Sequence, residues 1–376
     1  MKIAYDLRRI ANPGIGRYMK TLVEATVEIS PEHEYLLIMA PGTDHLLNTY
    51  SSVERIYARS RYYSISEQVE LPMLLRNHGV DILHAPHFVV PVIKTCMTVA
   101  TLHDAIHLVY PKDIASPVGR VYARRMIQIA TKIADRVITV SEYSKADLIR
   151  LLGADPSKIT VIPPFLQAEI STVTGRDEID SVRKRYGISR DYILYMGIFK
   201  QRKNHVGLLK AFAELIRQNL DLELVISGPI EEGRTRLSKI AEDLNITDRL
   251  VFSGFVREED MAALYSGAAV YACPSLYEGF GFTPLEAMAC GVPVVCHNGT
   301  SLPEVCGEAA LYSDARQPNQ FAEALRRALE DSELRVRLTR LGYENARRFS
   351  TTRSAAATMK LYLEMHDSAR KTSPAA

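Results

Sequence analysis

Short apolar runs alternate with longer stretches of helical period along this chain, and the alternation stops and then begins again near the middle. Such alternation is the pattern of a parallel sheet flanked by helices, and its interruption calls for two sheets. In the first series Lys2–Leu7, Glu34–Met39, Asp81–His84, Thr98–Leu102 and Arg136–Val140 read as strands. Asn12-Pro13-Gly14 reads as a turn before an amphipathic helix, Tyr18–Ile29, and further helices are expected at Pro117–Ala134 and Tyr143–Leu152, with Ser141 capping the latter. After Ile159–Ile162, the pair Pro163-Pro164 and a polar stretch to Ser189 read as the junction. The second series has strands at Tyr192–Met196, Leu222–Ser227, Leu250–Gly254, Val270–Cys273 and Pro293–Cys296. Its helices are Asn204–Gln218, Thr235–Leu244, Glu258–Ser266, Pro284–Cys290 and the charged Leu325–Phe349.

The expected class is therefore α/β, with two Rossmann-like doubly wound domains over residues 1–170 and 190–350. Residues 351–376 are expected to form a helix returning to the first domain, with a flexible tail after Arg370. The length of 376 residues fits, since a domain usually takes roughly 100–200.

Charge narrows the function. Lys and Arg total 46 against 44 acidic residues, so nucleic acid is not an expected partner. Five cysteines, none at CxxC spacing, read as free thiols in a reducing compartment. Pro91 and Lys94 break the most apolar run, Phe88–Leu102, before it could span a membrane, and the strand pattern starting at Lys2 leaves no room for a signal peptide. The expected location is cytoplasmic.

In an open α/β sheet, ligands bind beyond the carboxyl ends of the strands, and the unusual segments of this chain follow strands. Gly14-Ile15-Gly16-Arg17 lies between the first strand and the first helix, where glycines let backbone approach a ligand. Met19 stands where a dinucleotide fingerprint wants a third glycine. His103-Asp104 follows Thr98–Leu102, placing a histidine where it can bond a sugar hydroxyl or shuttle a proton, or simply hydrogen-bond within its loop. His84, His87 and His107 lie nearby, but they have neither a Cys partner nor HExxH spacing, and no metal is expected. Lys200, Arg202, Lys203 and Asn204 put cations past a strand end at a helix start, which suits a diphosphate as well as a solvated surface. In Pro274–Val295, Glu278 and Glu286 sit eight positions apart around Gly279-Phe280-Gly281-Phe282-Thr283. A purely structural reading leaves two carboxylates at an apolar strand–loop–helix junction unexplained, while a carboxylate can accept both hydroxyls of a ribose and the loop amides can hold phosphate oxygens.

Over these residues the chain resembles the retaining glycosyltransferases of family 4, which have the two-domain GT-B fold. The match is closest over Glu278–Val295, with its paired glutamates and GVPVV strand. Gly14–Tyr18 is similar to the family's amino-terminal glycine loop, Thr101–Asp104 to its cleft histidine segment, and Val140–Ser144 to its VSxxS stretch. Tyr195–Asn204 is similar to its G…RKN loop, and Ser301–Val305 to its SLPEV segment. The resemblance implies two domains facing each other across a cleft, and a metal-independent transfer with retention from a nucleotide-sugar cosubstrate, without a resident cofactor. It implies that Glu286 binds the ribose, Lys203 and Arg202 the diphosphate, and Gly14 and Gly16 the phosphate side from the other domain. Glu278 and His103 would contact the transferred sugar, and Gly279, Phe280, Gly281, Phe282 and Thr283 would offer backbone donors. Two departures stand out: Ile198 replaces the polar residue usual after the glycine of the diphosphate loop, and Ile162-Pro163-Pro164-Phe165 replaces the PNG turn.

By overall resemblance to bacterial mannosyltransferases of O-antigen and exopolysaccharide assembly, GDP-mannose is favoured over UDP-linked sugars, with a glycan or lipid-linked acceptor. The basic helical segment Arg120–Met126 fits either peripheral contact with the inner membrane surface or a solvated helix face. A nicotinamide-dependent dehydrogenase, a sugar-nucleotide epimerase and a noncatalytic nucleotide-sugar binder remain alternatives.

Overall fold

A computed structural model of the chain describes residues 1–48, 53–60, 64–114, 116–166, 170–229 and 231–372. The chain divides into two compact units, Met1–Phe165 with Phe349–Ala376, and Leu166–Arg348.

The first unit holds a seven-stranded parallel sheet of β1 (Lys2–Asp6), β2 (Glu34–Met39), β3 (Val53–Tyr57), β4 (Ile82–Ala85), β5 (Met97–Thr101), β6 (Arg136–Thr139) and β7 (Ile159–Val161), in the order β3-β2-β1-β4-β5-β6-β7. Its connections carry α1 (Pro13–Ile29), α2 (Glu67–Asn77), α3 (Ile106–Val109), α4 (Pro117–Ile133) and α5 (Glu142–Leu152). Central strands of such a sheet are covered on both faces and read as continuous apolar runs, and Ile3, Ala4 and Tyr5 of β1 are fully buried. The edge strand β3 shows no such run, because none of its five residues is fully buried. Pro72 inside α2 reads as a breaker although the helix continues through it. Neither β3 nor α2 was legible from the sequence pattern.

One expectation needs correction. Gly14–Arg17 is not a loop, because Asn12 caps α1 by accepting from the Gly14 N–H at 3.3 Å and Pro13 takes the first helical position. Both glycines therefore lie in the first turn. A β-carbon on Gly16 would sit 1.8 Å from the Ile10 carbonyl oxygen, so glycine is demanded by the close passage of the incoming chain.

The second unit holds a six-stranded parallel sheet of β8 (Tyr192–Met196), β9 (Glu223–Ser227), β10 (Leu250–Gly254), β11 (Val270–Cys273), β12 (Val294–His297) and β13 (Ala310–Ser313), ordered β10-β9-β8-β11-β12-β13. Its helices are α6 (Arg176–Arg185), α7 (His205–Arg217), α8 (Glu231–Asp243), α9 (Glu258–Ser266), α10 (Phe282–Ala289), α11 (Leu302–Cys306), α12 (Pro318–Glu330) and α13 (Ser332–Ala346). The polar stretch expected as linker contains α6, which buries only Val182 and docks through charge. Arg185 pairs with the buried Asp260 of α9, and the Tyr186 hydroxyl donates to the same carboxylate at 2.7 Å. The single helix expected over Leu325–Phe349 is two, since Asp331 ends α12 and caps α13, accepting from the Leu334 N–H at 2.9 Å.

The last helix, α14 (Thr351–Thr372), belongs to the first unit, where Met359, Tyr362 and Met365 share a core with Leu22 and Val23 of α1. The Tyr362 hydroxyl hydrogen-bonds His84 Nδ1 at 2.5 Å, and His84 Nε2 meets Thr101 Oγ1 at 2.7 Å. Most of the tail expected beyond Arg370 is residues 373–376, which lie outside the described residues.

In each sheet the chain winds one way and then the other from a central strand pair. The reversal lies between β1 and β4 in the first unit and between β8 and β11 in the second. Such a reversal leaves a crevice at the carboxyl ends of the two strands, with no connection crossing it.

Candidate active site

The loops after β8 and β11 flank the reversal in the second sheet. The backbone narrows at the ends of β8 and β9, where a β-carbon on Gly228 (φ +124°) would lie 2.3 Å from the Gly197 carbonyl oxygen. From Gly197 the chain makes a tight turn, Gln201–Lys203, and enters α7 through Asn204, which adopts a left-handed backbone (φ 54°). The Asn204 side chain does not cap the helix. Its amide donates instead to the Ala315 carbonyl at 2.7 Å. The first N–H groups of α7 thus lack the side-chain acceptor usual at a helix start, and they carry the positive end of the helix dipole.

A second helix starts the same way across the reversal. Gly281, with φ +114°, is the residue before α10 and has no side chain to cap it. The loop leading to it is pinned from behind, as Ser301 Oγ donates to the carbonyls of Glu278 at 2.9 Å and Phe280 at 2.8 Å, and the Glu278 N–H donates to Thr300 Oγ1 at 3.3 Å. The Leu276 N–H donates to the Arg202 carbonyl at 2.7 Å, tying the two loops together.

Three charged side chains meet there. Lys203 Nζ lies 2.5 Å from Glu278 Oε1, and Arg202 Nη1 lies 3.8 Å from Glu278 Oε2 while donating to the Tyr277 carbonyl at 3.4 Å. Burial pushes the Glu278 carboxyl up, but the charges of Lys203 and Arg202, with hydrogen bonds from Lys203 and Ser275, outweigh it and hold the group below the usual range. Lys200 is half-buried in the same loop and Ile198 is exposed. Of the loop aromatics, Phe280 is buried and Phe282 is 40% exposed, with ring centroids 5.2 Å apart.

Glu286 lies on α10 and is 7% exposed. The fully buried Tyr265 of α9 donates its hydroxyl to Glu286 Oε2 at 2.7 Å, and the Tyr265 hydroxyl oxygen also lies 3.3 Å from Met196 Sδ. The Tyr271 side chain hydrogen-bonds Thr283 and reaches the Met196 carbonyl at 3.3 Å. Tyr265, Thr300 and Ser301 had not been singled out as site residues. Tyr265 falls inside the expected helix Glu258–Ser266 with nothing in the sequence to mark it, and Ser301 is visible only as part of the SLPEV segment.

In the first unit, His103 follows β5 and its Nε2 lies 3.3 Å from the Pro86 carbonyl, with the ring edge-on to Tyr18 at 4.7 Å. A cavity of about 170 Å³ is lined by Ile15, His87, Phe88, His103, Asp104 and His107. Burial lowers the His103 pKa against the raising charge of Asp104, leaving a neutral imidazole at neutral pH. Burial, then the charge of Arg9, brings His87 to about 2. Gly16 spends its N–H on the Asn12 carbonyl at 2.8 Å. Among the described residues, no group of three or more His, Cys, Asp or Glu side chains is placed to hold a metal ion.

A family model described as glycosyltransferase family 4 matches residues 13–169, and one described as glycosyl transferases group 1 matches residues 178–345. The O-antigen chain mannosyltransferase B of Escherichia coli is 31% identical over 382 residues, which cover 96% of this chain and 99% of that one. The chain belongs to glycosyltransferase family 4. Its fold is GT-B, as solved structures also show. Sucrose-phosphate synthase from Thermosynechococcus elongatus superposes with a TM-score of 0.78 at 20% identity, covering 98% of this chain and 100% of that one. Anabaena HepE in complex with UDP and glucose superposes at 0.76 and 18% identity, covering 97% and 100%. This glycosyltransferase thus has its two family segments on the two units, and the Lys203–Glu278–Glu286 constellation falls in the group 1 segment.

Proposed function

We propose that this glycosyltransferase moves a hexose from a nucleoside diphosphate to an acceptor hydroxyl with retention of anomeric configuration and without a metal. The observation that carries this reading is the convergence of Arg202, Lys203 and Glu278 between two uncapped helix starts at a sheet reversal. As the C1–O bond to the diphosphate breaks, negative charge gathers on the leaving oxygen and the anomeric carbon becomes oxocarbenium-like. Lys203, Arg202 and the amides opening α7 and α10 are fixed donors where that charge develops. Glu278, kept ionised by its partners, faces the electron-poor sugar, and Glu286 accepts the ribose hydroxyls. The acceptor oxygen attacks from the face the diphosphate leaves, and its proton passes to a phosphate oxygen, so atoms and charge balance without a protein nucleophile. In the first unit, neutral His103 would contact the sugar. Any phosphate contact near Gly14 and Gly16 would come from other amides of the first turn of α1, since Gly16 donates elsewhere.

GDP-mannose is the favoured donor, supported by the mannosyltransferase that the chain matches along nearly its whole length. A lipid-linked saccharide is the favoured acceptor, and the surface of the first unit supports it. Ile65, Val69 and Met73 line the outer side of α2 and the turn before it, and Ile65 is 89% exposed. Gln68 holds the loop carrying exposed Val92 and Ile93 against α2, donating to the Val90 carbonyl at 3.4 Å and accepting from the Val92 N–H at 2.8 Å. The Tyr122 hydroxyl donates to Glu67 at 3.1 Å, bringing α4 alongside with Val118 and Val121 exposed beside Arg124 and Arg125. Residues 114–134 contain no Asp or Glu. Exposed aliphatics interleaved with arginines suit an anionic bilayer surface. No helix among the described residues is long and apolar enough to cross a membrane.

The test is incubation with GDP-mannose and a lipid-linked saccharide, reading GDP release and the anomeric configuration of the product by NMR. Transfer with retention supports the proposal. Donor isomerisation without acceptor would support the epimerase instead, and binding with neither transfer nor hydrolysis would support a noncatalytic binder.

A further inference from the structure

A carboxylate that must accept two vicinal hydroxyls has to be held in one rotamer, ionised, with the correct edge turned outward. Glu286 sits on a helix and is 7% exposed, and one of its oxygens is already engaged, since Oε2 accepts from the Tyr265 hydroxyl at 2.7 Å. Tyr265 comes from α9, the element before β11, and is itself fully buried. Its ring packs against Tyr271 with centroids 5.7 Å apart, and its hydroxyl is seated 3.3 Å from Met196 Sδ at the end of β8. The hydroxyl is therefore fixed by the same two strand ends that build the reversal.

We infer that Tyr265 is a positioning residue for the donor nucleotide, holding the Glu286 carboxylate in the rotamer that receives the ribose diol. This rests on the reading of Glu286 as the ribose acceptor. A buried phenol is suited to the task because it offers one hydrogen and no competing charge. Burial, followed by the Glu286 charge, holds the Tyr265 pKa well above its ordinary value, so it remains a donor throughout the working pH range. A lysine in the same place would neutralise Glu286, whereas the phenol leaves its charge available to the ligand.

The test uses titration calorimetry of the full chain with GDP, UDP and ADP, each compared with its 2′-deoxyribose form, on the native protein, Tyr265→Phe and Glu286→Ala. Removing one hydroxyl should weaken binding of the ribose forms about tenfold and that of the deoxy forms much less, moving the ribose preference most of the way to that of Glu286→Ala. Melting curves verify that Tyr265→Phe is folded, and the ribose-to-deoxyribose ratio is insensitive to an unfolded fraction. If Glu286→Ala loses the ribose preference while Tyr265→Phe keeps it, the role of Tyr265 is overturned and the ribose reading stands. If Glu286→Ala keeps the preference, the ribose reading itself falls, and this inference with it.

Discussion

Lys203 and Glu278 neutralise one another at 2.5 Å before any donor arrives, with Arg202 as a more distant second cation. A bound diphosphate would compete with Glu278 for Lys203, and both groups gain a role once the leaving phosphate becomes negative. Lys203→Ala should lower turnover by about 10²-fold or more. It should also destabilise the second unit, because Glu278 would keep its burial and lose its nearest compensating charge, a loss of up to about 3 kcal/mol. Steady-state kinetics and a denaturant titration read the two effects separately, and near-native turnover would remove Lys203 from the diphosphate role. The residue types of this site were readable in the sequence because each departs from its surroundings, as cations and carboxylates at strand ends in an apolar series do. Their pairing was not, since Lys203 and Glu278 lie 75 positions apart and only the sheet order brings their loops together. Tyr265 stayed hidden because a buried tyrosine on a helix reads as core until its hydroxyl partner is seen.

At the scale of elements, the two glycine segments have different physical origins. Gly281 is needed for its left-handed backbone at the opening of α10, whereas Gly16 is needed because the Ile10 carbonyl occupies the space of its β-carbon. Gly16→Ala should therefore disturb the entry of α1, costing about 1–3 kcal/mol in the first unit; an unchanged melting temperature would contradict the close passage of the Ile10 carbonyl. The central strands Tyr192–Met196 and Val270–Cys273 are plain in the sequence to the residue, because burial on both faces leaves no room for polar interruption, and the half-buried edge strand Leu250–Gly254 is matched as well. Edge strand β3, the charge-docked α6 and the Pro72-containing α2 escaped, since their stability comes from partners elsewhere in the chain. The outward face of α2 and α4 makes its own prediction. The chain should sediment with phosphatidylglycerol-containing vesicles at low salt and much less with neutral ones, and Val118→Ser with Val121→Ser should release it. Equal sedimentation of variant and native chain would leave that face an ordinary solvated surface.

Across the whole molecule, several buried imidazoles couple folding to pH. Burial holds His205 at about 4, His84 at about 3 and His87 at about 2, each far below the ordinary value of 6.5. The unfolded chain takes up these protons first as pH falls, so stability is full above pH 6.5 and declines below it. The loss reaches about 1.4 kcal/mol per pH unit for each histidine until the folded values are reached. Glu278 acts lower, its depressed pKa contributing stability above its unfolded value that is lost as pH falls through the folded one. Calorimetric melting temperatures should therefore drop steeply between pH 6.5 and 5, ahead of carboxylate titration, and a flat profile there would contradict the burial of these rings. His84 sits between Thr101 of β5 and Tyr362 of α14, so acid should loosen the carboxyl-terminal helix from the first unit along with the core beneath it.

The central claim is that the second unit grips a nucleoside diphosphate through Lys203 and Glu286. Thermal-shift titration with GDP-, UDP- and ADP-sugars tests it most directly. One of these should raise the melting temperature in a saturable way, and the shift should shrink in Lys203→Ala and again in Glu286→Ala. No shift with any of them, or an undiminished shift in both variants, would contradict the account.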